Sequence, residues 1–242
     1  MSEERLPMAS NGAGRPDPGS TTAPAGAAGP APVQVESSWA RLVGTLAVAG
    51  SLAGLAIVLV FQWADPRIEA WRAEVLSAAV TEVLAGADRY ETVFLSGGSF
   101  TATPADDTTS LDRVYVGYDD AGAPVGVAMV GADAGFQDVI RVIFGYDPGT
   151  GDVIGMQVLE SKETPGLGDK IEKDSSFVAE FDRVATPLVG LKSGRETGAE
   201  DEVIMITGAT ISSRAIVDII NARLEEVGGL VDTYWRGQGG GP

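Results

Sequence analysis

An uncharged, mostly apolar stretch at residues 42–64 restricts the fold of this 242-residue chain more than any other feature. At a rise of roughly 1.5 Å per residue, a helix of this length crosses a hydrocarbon layer of roughly 30 Å. Trp39 and Trp63 flank the stretch like the aromatic anchors of membrane interfaces, and Asp65-Pro66 is expected to end the helix. We therefore predict one transmembrane helix over residues 39–63, with a buried helix of a soluble protein as the alternative.

The segments on either side of this helix differ in composition. Residues 1–38 are rich in Ala, Gly, Pro, Ser and Thr and contain hardly any large apolar side chains, which predicts a disordered tail. Apolar residues recur at helical spacing over 67–86, so we expect an amphipathic helix and a linker within 64–94. We assign residues 95–236 to one folded domain and 237–242 to a flexible C-terminus.

The folded domain has the sequence pattern of strands more than that of helices. Residues 114–130 and 139–160 each contain two β-rich runs around a turn sequence, so each is predicted to form a hairpin. A loop with two short helical patches is expected over 161–198, followed by a short strand at 203–206 and a helix over about 212–227. The fold class is therefore α+β, a mainly antiparallel sheet with flanking helices.

Composition excludes most catalytic chemistry. The chain has no cysteine and no histidine, which excludes thiolate nucleophiles, disulfides, iron–sulfur clusters, histidine-ligated haem and zinc, and a Ser-His-Asp relay. A formal net charge of −17 argues against binding of nucleic acid through its phosphates. We predict no resident metal and no catalytic side chain, so a redox role would depend on an organic cofactor.

A hydroxyl-rich segment lies where the predicted strand enters the last helix. Its glycine allows close approach of the backbone, and the helix N-terminus offers unpaired N–H groups and partial positive charge, which suits a phosphate. Ser and Thr at a helix start are also ordinary caps, so the residues alone leave both interpretations open. The candidate phosphate-binding residues are Thr207, Gly208, Ala209, Thr210, Ser212, Ser213 and Arg214.

A second segment, rich in glycine and proline, follows the predicted strand that ends near residue 160. Two glycines and a proline make a stiff loop whose backbone can lie flat against a planar ligand and donate N–H groups to ring carbonyls. The alternative is a plain turn. The candidate residues of this loop are Glu163, Thr164, Pro165, Gly166, Leu167 and Gly168.

Together the two segments resemble a known family. Residues 207–210 match its Ser/Thr-Gly-Ala-Thr pattern, and residues 163–168 match its ETPGLG loop. The chain is similar to the G subunit of the Rnf ion-translocating electron-transport complex and, more distantly, to the C subunit of the sodium-pumping NADH:quinone reductase. Both of these contain the FMN-binding domain. The resemblance extends over about residues 40–230 and includes the single membrane helix.

The resemblance implies a covalently bound flavin. In this family the last Thr of the pattern is joined to FMN through a phosphoester, which transfers to Thr210, and a separate flavin transferase forms the bond. Ser212, Ser213 and Arg214 would then support the phosphate, while residues 163–168 flank the flavin ring. A phosphodiester monoanion at a helix N-terminus agrees with the partial positive charge expected there.

Two positions depart from the family pattern. Ile204 stands where the family often has Asp, three residues before the first hydroxyl of the pattern, which bears on recognition by the transferase. Ser161 stands where the family commonly has a His, two residues before the Glu of the loop. The reduction potential of the flavin is therefore expected to differ from that of other family members.

The resemblance also implies a function. We expect a membrane-anchored flavoprotein electron carrier, an electron-transfer subunit of an Rnf-type translocase that couples electron transfer between ferredoxin and NAD to ion translocation, with other membrane subunits as partners. The family places the flavin domain outside the inner (cytoplasmic) membrane and the tail inside. The alternatives are an orphan flavinylated carrier, the C subunit of a quinone reductase, and a cofactor-free, membrane-tethered binding protein.

Overall fold

The computed structural model describes residues 38–105, 108–109 and 111–238. The predicted disordered tail therefore lies almost entirely outside the described residues, as does most of the predicted flexible C-terminus. The chain divides into two compact units, Met1–Val58 and Leu59–Pro242. The first contains the described start of a long helix, and the second contains the rest of that helix and all of the strands.

Helix α1, Trp39–Val83, is one continuous helix of 45 residues. Within the described residues it is the one helix long and apolar enough to cross a membrane. The expectation that Asp65-Pro66 ends the helix is wrong, because α1 contains Pro66 and continues beyond it. Proline removes one backbone N–H donor, and the Ala, Glu, Arg and Leu residues that follow favour helix strongly enough to continue it. The predicted boundary at residue 63 therefore does not interrupt the helix.

The C-terminal turns of α1 pack on one face of a β-sheet. The buried side chains of α1 are Ala79, Val80 and Val83. Ile68 and Trp71, which were expected on the same apolar side, are exposed. A glycine in the sheet permits the close approach, since a Cβ at Gly145 would lie 2.2 Å from the carbonyl oxygen of Val83. The amphipathic helix expected over 67–86 is thus buried only near its end.

The sheet has seven antiparallel strands in the order β2-β1-β3-β4-β5-β6-β7. The strands are β1 Arg89–Ser96, β2 Ser99–Thr101, β3 Arg113–Tyr118, β4 Pro124–Ala134, β5 Val139–Asp147, β6 Asp152–Glu160 and β7 Val184–Ala185. The two predicted hairpins are confirmed as β3–β4 and β5–β6. Strand β1 pairs with β3 from Arg89 onwards, so the sheet begins before the predicted domain start at residue 95.

The remaining elements follow β6 in the chain. They are α2 Lys170–Lys173, α3 Ser175–Ala179, β8 Val189–Lys192, β9 Glu202–Met205 and α4 Thr210–Gly237. Helices α2 and α3 are the two predicted helical patches, and β9 is the predicted short strand. Strand β8, which pairs parallel to β9, lies in the segment predicted as a loop, because four residues with a glycine show no clear period of two. Helix α4 begins earlier and ends later than the predicted 212–227.

Side chains of the central strands alternate between two buried faces. Met129 and Phe144 belong to the larger core, which includes the apolar side of α4, whereas Ala128 and Ile143 belong to the smaller core formed with the end of α1. Helix α4 lies close to β4, since a Cβ at Gly131 would meet the Ile219 side chain at 2.6 Å. The predicted α+β class, a mainly antiparallel sheet with flanking helices, is confirmed.

Candidate functional site

A tight turn connects β9 to α4. The N–H of Ala209 donates to the carbonyl of Ile206 at 3.0 Å, which closes the turn. Gly208 has a φ of +88°, in the left-handed region that favours glycine, and a Cβ there would face open space. Helix α4 starts immediately afterwards at Thr210. The strand-to-helix junction predicted for the hydroxyl-rich segment is therefore present.

The first turn of α4 has free backbone donors. Ala209 precedes the helix and gives it no side-chain cap. Among the described residues, none accepts a hydrogen bond from the backbone N–H of Thr210, Ile211 or Ser212, and the first such bond is from Ser213 to the carbonyl of Ala209 at 2.9 Å. Unpaired N–H groups at a helix N-terminus, together with the helix dipole, favour a negatively charged group.

The four candidate hydroxyls differ in accessibility. Ser212 and Ser213 are buried. The hydroxyl of Ser213 donates to the carbonyl of Ala209 at 2.9 Å and accepts from the N–H of Ile206 at 3.2 Å, so it holds the turn from inside. Thr207 is exposed, and Thr210 is half-buried with its hydroxyl donating to Ile206 at 3.3 Å. Thr207 and Thr210 are thus the two of these four residues that are not buried.

A buried carboxylate joins the two predicted segments. Glu163 is 6% exposed, and its Oε2 accepts a hydrogen bond from the Ser212 hydroxyl at 2.7 Å. Its Oε1 accepts from the backbone N–H groups of Phe136 at 2.9 Å and Gln137 at 3.0 Å. Burial acts to raise the pKa of the Glu163 carboxyl, but these hydrogen bonds outweigh burial and hold the pKa below its ordinary value. The carboxylate is therefore ionised at neutral pH.

Two glycines make room for this carboxylate. A Cβ at Gly168 would lie 2.5 Å from Oε2 of Glu163 and 3.0 Å from the hydroxyl of Ser212. A Cβ at Gly135 would lie 2.5 Å from Oε1 of Glu163 and equally close to Ile140. Contacts of 2.5 Å are shorter than a carbon atom tolerates, so glycine at these two positions is a requirement of packing.

The predicted loop at 163–168 lies against the start of α4. The N–H of Leu167 donates to the carbonyl of Thr164 at 3.1 Å, and Gly166 has a φ of +79°. Pro165 and Leu167 are exposed at the loop surface. The contact of Glu163 and Gly168 with Ser212 thus brings together the two segments that were predicted separately.

The remaining predicted positions lie outside this contact. Arg214 is exposed, and among the described residues it has no ion-pair partner within 4.0 Å. The N–H of Ile204 donates to a carboxylate oxygen of Glu180 at 3.1 Å. The hydroxyl of Ser161 accepts from the N–H of Glu163 at 3.3 Å.

The turn between β4 and β5, residues 135–138, is part of the site although it was not predicted as such. Besides the two N–H groups that bind Glu163, the side chain of Gln137 accepts from the Thr164 hydroxyl at 2.8 Å. The sequence contained one signal, an aromatic residue at position 136 beside a glycine in a hairpin turn, where polar residues are usual.

Comparison with known proteins shows which proteins this chain is similar to. Residues 135–225 match the FMN-binding domain family. The chain is 28% identical over 187 residues to the G subunit of the ion-translocating oxidoreductase complex of Methanosarcina acetivorans, a match that covers 77% of this chain and 93% of that protein. It is 31% identical over 109 residues to the G subunit of the Haemophilus influenzae complex, covering 45% of this chain and 52% of that protein, about half of its length.

A solved structure supports the fold. The crystal structure of Shewanella oneidensis NqrC aligns with a TM-score of 0.53 and 18% sequence identity, covering 62% of this chain and 90% of that chain. The matched range 135–225 contains the β4–β5 turn, the loop at 163–168 and the junction at 207–210. Residues 135–225 therefore match the FMN-binding domain family, and the chain is similar over most of its length to the G subunit of the ion-translocating oxidoreductase complex of Methanosarcina acetivorans.

Proposed function

We propose that this protein is a membrane-anchored electron carrier that holds FMN covalently at Thr210 and serves as a subunit of an Rnf-type ion-translocating complex. One observation supports the proposal above all others. Thr210, a half-buried threonine, begins a helix whose first three N–H groups have no acceptor among the described residues, in a range that matches the FMN-binding domain family.

The residues at the junction fit the phosphate end of FMN. A phosphodiester carries one negative charge, which the free N–H groups and the dipole of α4 would stabilise. Gly208 leaves open space beside the turn. Arg214, exposed one helical turn after Thr210, is the candidate cation for the phosphate.

The two buried serines support the site through contacts with protein groups and not through a direct contact with the phosphate. The hydroxyl of Ser212 is engaged by Glu163, and that of Ser213 by backbone groups of the turn. We assign both to holding the junction in shape. Burial of these two hydroxyls leaves Thr207 and Thr210 as candidates for attachment, and the family pattern favours Thr210.

The loop at 163–168 is the candidate surface for the flavin ring. Bound FMN supplies reversible one- and two-electron transfer, a redox chemistry that an organic cofactor brings to a protein. The exposed side chain of Leu167 and the exposed Pro165 offer an apolar surface, and the loop backbone offers N–H donors. These residues would bind and orient the ring, while Glu163 fixes the loop from beneath.

The proposed orientation of the membrane helix rests on the family resemblance, because Arg41 lies on one side of the apolar stretch and Arg67 and Arg72 on the other. We propose that α1 spans the inner membrane once, that the tail before it is cytoplasmic and that the domain over 95–236 is outside. The net charge over residues 64–242 is −16. Other membrane subunits would deliver and remove electrons, and a flavin transferase would load the domain.

Topology is tested by reporter fusions at the C-terminus. A reporter that is active only outside the cytoplasm should be active, and one that is active only in the cytoplasm should be silent. The opposite pattern would reject both the orientation and the proposed position of the flavin domain.

Covalent attachment is tested by coexpression with a flavin transferase. Wild-type protein should give a fluorescent band on a denaturing gel, and Thr210→Ala should give none. Thr207→Ala is the matched control, because it removes a neighbouring, more exposed hydroxyl and should remain fluorescent. Fluorescence that survives Thr210→Ala would assign the flavin to another residue, and a dark wild type would favour a cofactor-free protein.

A further inference from the structure

The β4–β5 turn, residues 135–138, is attached to the loop at 163–168 by more bonds than a hairpin turn needs. Its own closure is the bond from the N–H of Gly135 to the carbonyl of Asp138 at 2.8 Å. The two bonds to Glu163 and the Thr164–Gln137 bond are added to this. Lys162 also forms an ion pair with Asp138 at 3.3 Å. The turn and the loop therefore form one rigid surface.

This rigid surface and the start of α4 beside it present large apolar side chains to solvent. Phe136 is 64% exposed, Leu167 is 52% exposed and Ile211 is 57% exposed. The backbone N–H of Phe136 donates to Glu163. Ile211 precedes Ser212, whose hydroxyl donates to Glu163. Leu167 precedes Gly168, which packs against Glu163. Large exposed apolar side chains on segments that contact one another favour a binding surface.

We propose that the β4–β5 turn is a third segment of the flavin site, that Phe136 is the side chain it presents to the flavin ring, and that Glu163 is the positioning residue that fixes the turn. This inference rests on the proposed function. It adds to the two sequence motifs a segment that neither of them contains.

The bonds of Glu163 argue for positioning and against direct contact with the flavin. Oε1 already accepts two N–H groups and Oε2 accepts the Ser212 hydroxyl. A carboxylate that is 6% exposed and engaged at both oxygens has little capacity for a further ligand. Its bonds instead connect the turn, the loop and helix α4, so a change at Glu163 would alter the position of Phe136 relative to Thr210.

Phe136 suits a ring contact through its chemistry. The edges and faces of aromatic rings attract one another in stacked or edge-to-face arrangements, and a rigid backbone lowers the entropy that such a contact costs. An exposed phenylalanine on a turn held by a buried carboxylate meets both conditions.

The contact is tested by placing an electron-rich quencher at position 136. In full-length, flavin-loaded protein, Phe136→Trp should lower the native-state flavin fluorescence severalfold, because indole quenches a flavin that it touches. Val189→Trp, at another exposed apolar position on β8, is the matched control and should leave the fluorescence at the wild-type value. Equal fluorescence of the Phe136→Trp and wild-type proteins would overturn the assignment, and would favour Phe136 as a contact for a partner protein.

The positioning role is tested on protein without flavin. Glu163→Gln keeps the shape but removes the charge, so hydrogen-exchange protection of the Phe136 and Gln137 amides should fall on the order of tenfold. Glu180→Gln is the control, because Glu180 also accepts a backbone N–H at 3.1 Å, from Ile204, and should leave these two amides unchanged. Unchanged protection in Glu163→Gln would overturn the role of Glu163.

The loaded protein gives a second readout for Glu163. Glu163→Gln should still give a fluorescent band on a denaturing gel, since Thr210 is intact, while the visible circular dichroism of the flavin should lose much of its amplitude. A normal band with an unchanged dichroism spectrum would reject this inference and leave the proposed function standing. A dark wild-type band would reject both.

Discussion

The two turns at the ends of strand β4 have the same task in the sheet but are built differently. The β3–β4 turn, residues 119–123, is closed by its own residues. The N–H of Asp119 donates to the carbonyl of Ala123 at 2.9 Å, and the N–H of Ala123 donates to Oδ1 of Asp119 at 2.7 Å. Its surface holds no large apolar side chain.

The β4–β5 turn depends on a distant side chain. Glu163 is 27 residues from Phe136 in sequence and 49 residues from Ser212, and it bonds to both. The turn also exposes a phenylalanine. A hairpin needs none of these features to reverse the chain, so the difference between the turns is what the proposed role of the β4–β5 turn in the flavin site would explain.

The largest expected difference between the two turns concerns their glycines. Gly135→Ala would force a Cβ to 2.5 Å from both Glu163 and Ile140, and should lower the free energy of unfolding by about 3 kcal/mol. Gly122→Ala in the β3–β4 turn meets only Arg89 at 3.7 Å, and its positive φ should cost about 1 kcal/mol. Thermal unfolding of the detergent-solubilised protein measures both, and equal losses would remove the contrast.

Acid should loosen the β4–β5 turn selectively. The pKa of Glu163 in the folded protein is below its ordinary value, so its stabilising contribution is complete above the unfolded pKa of about 4.3 and disappears as pH falls through the folded pKa. Protection factors of the Phe136 and Gln137 amides should therefore decline below about pH 4. In Glu163→Gln this decline should be absent, and a decline that persists would assign it to another group.

The smallest effect on stability is expected at two exposed arginines. Arg89, near the β3–β4 turn, pairs with Glu91 at 2.8 Å and lies over the Tyr118 ring at 4.6 Å, so Arg89→Ala should cost up to about 1 kcal/mol. Arg214→Ala should cost less than about 0.5 kcal/mol. Thermal unfolding of the two variants beside the wild type measures both losses.

The loss of flavin loading should be larger for Arg214→Ala than for Arg89→Ala, which is the reverse of the order expected for the loss of stability. Arg214→Ala should lower the fluorescence of the denatured band, since Arg214 is the candidate cation for the phosphate, and Arg89→Ala should not. Full loading of Arg214→Ala would make that arginine an ordinary surface residue.

The sequence predicted the parts of the fold that depend on neighbouring residues. The hairpins β3–β4 and β5–β6 follow from alternating side chains around Asp- and Gly-rich turns, which are local signals. Strand β8 was missed because its own four residues, which include a glycine, carry little pattern. The continuation of α1 through Pro66 shows that one lost hydrogen bond does not outweigh a long helix-favouring context.

The site was predicted in its two motifs but not in its connections. The burial of Ser212 and Ser213 had a signal, since both precede Ile216 by three or four residues and therefore share its helix face. The bonds of Glu163 had none, because no spacing rule relates a carboxylate to an amide or a hydroxyl so far along the chain. The sequence therefore offered no reason to connect Phe136 with the two motifs, and the bond of its N–H to Glu163 provides that connection.

The internal closure of the β9–α4 turn bears on the order of events during maturation. The turn is held by the bonds of Ser213 to Ile206 and Ala209 and by the bond from the N–H of Ala209 to Ile206, so the longer bond of the Thr210 hydroxyl to Ile206 at 3.3 Å is not needed to close it. A modifying enzyme would therefore meet a finished scaffold, so the domain is expected to fold first and receive its prosthetic group afterwards. On the proposed function, loading would then depend on correct folding, because a chain that has not formed this turn does not present Thr210 at a helix start.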